Sequence, residues 1–140
     1  EHGDSEFVCW SNANIGGKPI FDVINSMEEI SFDDLDHIYK DVRDAAYQII
    51  KRKKATYYGI GMALVRITSA ILNNENRIMP ISVLNDGVYP VEDDVYIGLP
   101  AVLNRDGVHH VVHFALSPRE KDQLANSANI LKTNLKNMGY

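Results

Sequence analysis

This 140-residue sequence holds one cysteine, Cys9. A lone thiol cannot close an intrachain disulfide, and such scarcity fits a reducing compartment, so a cytoplasmic setting is expected. Long apolar runs are lacking too. No stretch approaches the roughly 20 residues that a bilayer-spanning helix requires, so no membrane partner is expected. Positive charge is in deficit, with 14 Lys and Arg against 19 Asp and Glu and a formal net charge of -5. A mildly acidic body repels phosphate backbones, which argues against nucleic acid as a partner. Repeats, low-complexity tracts and phosphate-cradling glycine motifs are also missing, and Gly16-Gly17 reads only as a turn between two short strands. The chain opens without an initiator methionine on Glu1-His2-Gly3-Asp4-Ser5. It therefore reads as the second half of a larger protein.

What is present suits one soluble domain. Hydrophobic residues make up 45% of the chain and charged residues 24%, ordinary proportions for a globular protein that buries about two-thirds of its unfolded surface. Ser31, with Asp34 three positions on, predicts a helix start of the capping-box type. Leu35, Ile38, Val42, Ala45, Ala46, Ile49 and Ile50 recur at helical spacing behind it, and the basic run Lys51–Lys54 closes it. A second helix is expected through Ile60, Leu64, Ile67 and Ile71, ending near Asn73-Asn74. Gly59 and Gly61 weaken its first turns, with a tight helix crossing or a close ligand as their use.

The period then changes from helical to alternating. Ile78–Leu84 reads as a strand with Pro80 at an edge or bulge, and Val95–Leu103 as another. Asn104-Arg105-Asp106-Gly107 is a hairpin turn, leading into a strand expected from Val108 to Leu116. Ser117-Pro118-Arg119-Glu120 opens a last helix through a capping box with proline at its first position. Leu124, Ala128, Leu131, Leu135 and Met138 form its apolar stripe before Gly139. The class is α+β, long helices packed on a twisted antiparallel sheet.

Histidine is the main chemical candidate. His109, His110 and His113 gather in the last predicted strand, His109 and His113 on one face. No carboxylate or cysteine can be placed beside them as a third ligand, so no metal site is expected. His37 falls on the polar side of its helix. His2 differs, because Gly3 and Asp4 suit a tight loop that can present an imidazole to a cleft. There it would titrate near neutral pH and pass a proton, the alternative being a terminal surface histidine.

Glu1-His2-Gly3-Asp4-Ser5-Glu6-Phe7 and Trp10-Ser11-Asn12-Ala13-Asn14-Ile15-Gly16-Gly17 resemble the catalytic-loop region of bacterial L-lactate dehydrogenases. The likeness continues through Asp41–Tyr47, Lys54–Ile60, Tyr96–Asn104 and the final helix, covering essentially the whole chain. Cys9 departs from it, where the family often has an aliphatic residue. The resemblance implies the C-terminal substrate domain, residues 1–140, of an NAD-dependent enzyme of the lactate/malate dehydrogenase superfamily. It implies His2 as the acid/base for the substrate's 2-oxo oxygen, Thr56 in the substrate pocket and Ile60 against the nicotinamide ring of NAD. The dinucleotide-binding domain would be absent from this chain, and with it the aspartate that orients the histidine and the arginines that hold and close over the substrate carboxylate. Interconversion of pyruvate and L-lactate by a dimer or tetramer is the expected activity, this half alone being inactive. A malate or branched 2-hydroxyacid dehydrogenase and a non-catalytic truncated assembly domain stand as alternatives.

Overall fold

The computed structural model describes residues 4–27, 30–85, 87–91 and 94–140. After one 3-10 turn at Trp10–Asn12, β1 (Asn14–Ile15) and β2 (Lys18–Pro19) pair as a small hairpin. Gly16 and Gly17 take φ of +59° and +85°, the left-handed pair that a two-residue hairpin turn demands. There follow α1 (Ile20–Ser26), α2 (Phe32–Lys53), α3 (Tyr58–Leu72), β3 (Arg77–Leu84), β4 (Tyr96–Asn104), β5 (Gly107–Val111) and α4 (Pro118–Asn137). The expected α+β architecture is what forms, with helices packed on a small antiparallel sheet of order β3-β4-β5. Among the described residues no helix is long and apolar enough to cross a membrane.

Both capping boxes close as the sequence predicts. Ser31 Oγ accepts from the Asp34 N–H while Asp34 reaches back to Ser31, and Ser117 and Glu120 repeat the arrangement at α4. From there α4 lays Leu124 and Ala128 on the inner face of the sheet, where they meet Val83, Val95, Ile97, Leu99 and Ala101. Leu131 and Leu135 extend the same stripe. Pro80 sits on β3, an edge strand that tolerates a missing donor, opposite Pro100. The β3–β4 connection is organised by fully buried Asn85, whose side chain accepts from Tyr89 N–H and donates to the Tyr89 and Val91 carbonyls.

The structure departs from or adds to the sequence reading at three points. The strand expected to reach Leu116 ends at Val111. Val108 lies opposite Leu103 and His110 opposite Val102, so a bulge at His109 turns His110 to the other face and Val111 meets the core instead. Beyond it, the Tyr89 hydroxyl donates to the Val112 carbonyl at 2.8 Å and accepts from the Phe114 N–H at 3.0 Å, replacing a strand partner. The stripe of α2 is also not a core face here: only Leu35 is buried, against Ile20 and Ile24, and Val42 is 63% exposed. Finally, α1 has no counterpart in the sequence reading, its seven residues being too few to display a helical period.

Candidate active site

The segment that follows His2 is held by side chains of two helices. Tyr47 of α2 donates its hydroxyl to Asp4 Oδ1 at 2.5 Å, and Tyr39 donates to the Glu6 carbonyl at 2.9 Å. These tyrosines stand about 12 Å apart along the helix axis at 1.5 Å per residue. Followed backwards from Glu6 to Asp4, the segment thus runs toward the C-terminal end of α2. On its other side, Ser5 Oγ bonds Ser127 Oγ of α4 at 2.9 Å, and Ser11 bonds Glu120 of the same helix. None of these partners stood out in the sequence. Each joins residues remote in the chain, and only the Ser117–Glu120 cap was local enough to be seen.

His2, the expected acid/base, lies outside the described residues. Thr56 and Ile60 both fall where α2 hands over to α3. Lys54 caps α2 in the left-handed conformation at φ +66°, turning the chain so that Ala55–Tyr57 cross to the start of α3. Thr56 lies exposed in that connector, and Ile60, on the first turn of α3, is 61% exposed. A β-carbon built on Gly59 or Gly61 would meet nothing within 4 Å. Among the described residues no helix crosses these glycines, and their bare backbone faces outward in this chain. The first turns of α3 are therefore an open apolar ledge beside Thr56, past the end of α2 toward which the backbone runs from Glu6 back to Asp4.

Electrostatics single out Glu120, a carboxylate only 5% exposed. Its Oε1 accepts from the Ser11 N–H at 3.0 Å, and its Oε2 from the Ser11 hydroxyl, the Ser117 N–H at 2.8 Å and the Ser117 hydroxyl at 2.8 Å. Burial alone would raise its pKa, but the bonds from Ser11 and then Ser117 outweigh it and hold the group below the usual glutamate value. Nearby Cys9 shifts upward, through burial first and the Glu120 charge second, which disfavours its nucleophilic thiolate.

The histidines expected in the last strand separate. His109 and His110 meet edge to face at 5.0 Å between ring centroids, while His113 stacks on Tyr89 at 5.7 Å. Among the described residues no three His, Cys, Asp or Glu side chains gather as a metal site. An apolar cleft of about 640 Å³ opens between residues 5–9, the sheet and α4, and neither Thr56 nor Ile60 lines it.

A family profile for the lactate/malate dehydrogenase alpha/beta C-terminal domain matches residues 1–139. The chain belongs to that family. It is 52% identical over 132 residues to an L-lactate dehydrogenase of Bacillus pumilus, an alignment covering 94% of this chain and 42% of that enzyme. L-lactate dehydrogenase 1 of Listeria innocua is 53% identical, with 94% and 41% covered. The chain thus spans about two-fifths of the length of the curated relatives it matches. Among solved structures, a lactate dehydrogenase from a Medee basin deep-sea metagenome library superposes with a TM-score of 0.95 at 76% identity, covering all of this chain and 45% of that one. The ligand-bound minor L-lactate dehydrogenase of Enterococcus mundtii gives a TM-score of 0.91 at 41% identity, over 98% of this chain and 43% of that one.

Proposed function

We propose that this dehydrogenase domain supplies the acid/base and substrate-pocket residues of an NAD-dependent L-lactate dehydrogenase that interconverts pyruvate and L-lactate. The observation that carries the reading is the match along nearly the whole chain to enzymes of that name. The local geometry supports it. Tyr39 and Tyr47 hold Glu6 and Asp4 so that the described backbone runs toward the end of α2 beside Thr56, where a bare helical backbone and an exposed isoleucine suit a flat aromatic ring.

When bound, NADH supplies the hydride. Protonated His2 gives a proton to the 2-oxo oxygen in reduction, and neutral His2 removes the hydroxyl proton in the reverse direction. Thr56 flanks the small 2-oxo acid, and Ile60 offers an apolar surface that excludes water from the ring face. The nucleotide fold, the aspartate that orients His2 and the arginine that pairs with the carboxylate are assigned to a preceding domain. The exposed apolar faces of α2 and α3 support association with that domain and with a second subunit. A cytoplasmic location suits the single half-buried Cys9.

The test is NADH oxidation by the complete enzyme with pyruvate, oxaloacetate and 2-oxoisocaproate in parallel. Pyruvate is expected to give the highest kcat/KM, and His2→Gln to lower kcat by about 10³-fold. Preference for oxaloacetate or 2-oxoisocaproate would reassign the substrate. A His2→Gln enzyme of full activity would remove the acid/base role.

A further inference from the structure

The seating of the segment that follows His2 is a second-helix problem, and α4 solves it at two points. Glu120 and Ser127 lie seven residues apart on α4, a spacing that returns to the same helix face. Ser11 bonds the first and Ser5 the second, so the segment runs antiparallel along that face. Of the two anchors Glu120 is the stronger. A nearly buried carboxylate has no water to fall back on, and each of its bonds is charge-assisted.

The two bonds to Ser117 explain only the start of α4. A capping glutamate ordinarily stops there, on the surface. Here the same carboxylate turns to the Ser11 N–H and hydroxyl, on a chain segment 109 residues away, which helix capping does not require. Between the anchors Phe7 packs on the core, so Ser11, Phe7 and Ser5 together seat the stretch that leads back to Asp4.

We infer that Glu120 is a positioning residue for the proton-transfer step, fixing through Ser11 the place of the segment that carries His2. This rests on the dehydrogenase reading above. Loss of the anchor leaves the proton donor chemically intact but misplaced. Proton and hydride transfer then slow while substrate binding, made by other residues, is retained.

The experiment uses the complete enzyme and three variants: Ser11→Ala, Glu120→Gln and, as a destabilised control in α4, Leu135→Ala. Turnover of pyruvate is measured with NADH and with NADH carrying deuterium at the transferred position. Ser11→Ala and Glu120→Gln are expected to lower kcat by about tenfold with KM little changed, and to raise the deuterium effect because chemistry becomes slower relative to other steps. Leu135→Ala is expected to lose thermal stability with an unaltered deuterium effect. Variants of both anchor residues that keep the parent's kcat and deuterium effect, or a control that changes them equally, would overturn the positioning role. Failure of the unaltered enzyme to turn over any 2-oxo acid would instead overturn the dehydrogenase reading, and this inference with it.

Discussion

Glu120 holds four hydrogen bonds on one carboxylate, and its charge state decides whether they survive. Its folded pKa lies below the ordinary value of 4.5. The resulting stabilisation is fully present above that unfolded value and is lost as pH falls through the lower folded one. Acid denaturation should therefore steepen below pH about 4.5. In Glu120→Gln this contribution to the slope should vanish. An amide offers one acceptor oxygen, so a backbone N–H loses its partner, at a cost of about 2 kcal/mol at neutral pH. Urea unfolding of both proteins across pH 3 to 7 checks this, and parallel curves would contradict it. At this scale the sequence was legible only locally. The Ser117-Pro118-Arg119-Glu120 cap announces itself within four residues, whereas nothing in the chain marks Ser11 as a partner of the same carboxylate. His2 is an expectation drawn from its neighbours and the family resemblance and lies outside the described residues, while Tyr39 and Tyr47 look like any tyrosines of an amphipathic helix.

Elements were legible where one local period ran unbroken. Both capped helices and strands β3 and β4 fall within a residue or two of their predicted bounds. β5 does not, because the bulge at His109 and the Tyr89 hydroxyl are tertiary events that override alternation. The stripe of α2 was real, yet periodicity says only that a face is apolar, never what covers it. The start of α3 gives a prediction at this scale. With open space at both positions, Gly59→Ala and Gly61→Ala should each stabilise the isolated chain by about 1 kcal/mol, through helix propensity. In the complete enzyme the same substitutions should weaken NADH binding, because each methyl stands on the ledge proposed for the ring. Thermal unfolding of the chain and NADH titration of the enzyme give the two readings. Weaker stability in the first would mean that the space is occupied, and unchanged affinity in the second would take the ring elsewhere.

Taken whole, the molecule has a covered side and an uncovered one. The sheet and α4 enclose the core, while Val42, Ile60, Leu64 and Leu72 of α2 and α3 are all more than half exposed. Exposed apolar surface of that extent drives association in water. The isolated 140-residue chain should self-associate, with Val42→Lys and Leu64→Lys together shifting it toward monomer in sedimentation velocity. A monodisperse monomer at high concentration would argue that these faces need no partner. The same chain should also fail to oxidise NADH with pyruvate, for want of the residues assigned to the preceding domain.

The bond between Ser11 and Glu120 has a consequence in time as well as in space. A polypeptide leaves the ribosome amino end first, and these two residues are 109 positions apart. The segment behind His2 is thus made before α4, and its seat on that helix does not exist until most of the residues between them have been synthesised. A nascent chain stalled before α4 would hold that segment through Tyr39 and Tyr47 of α2 alone, without Ser127 and Glu120. On the proposed function, competence for proton transfer waits for α4 to be made.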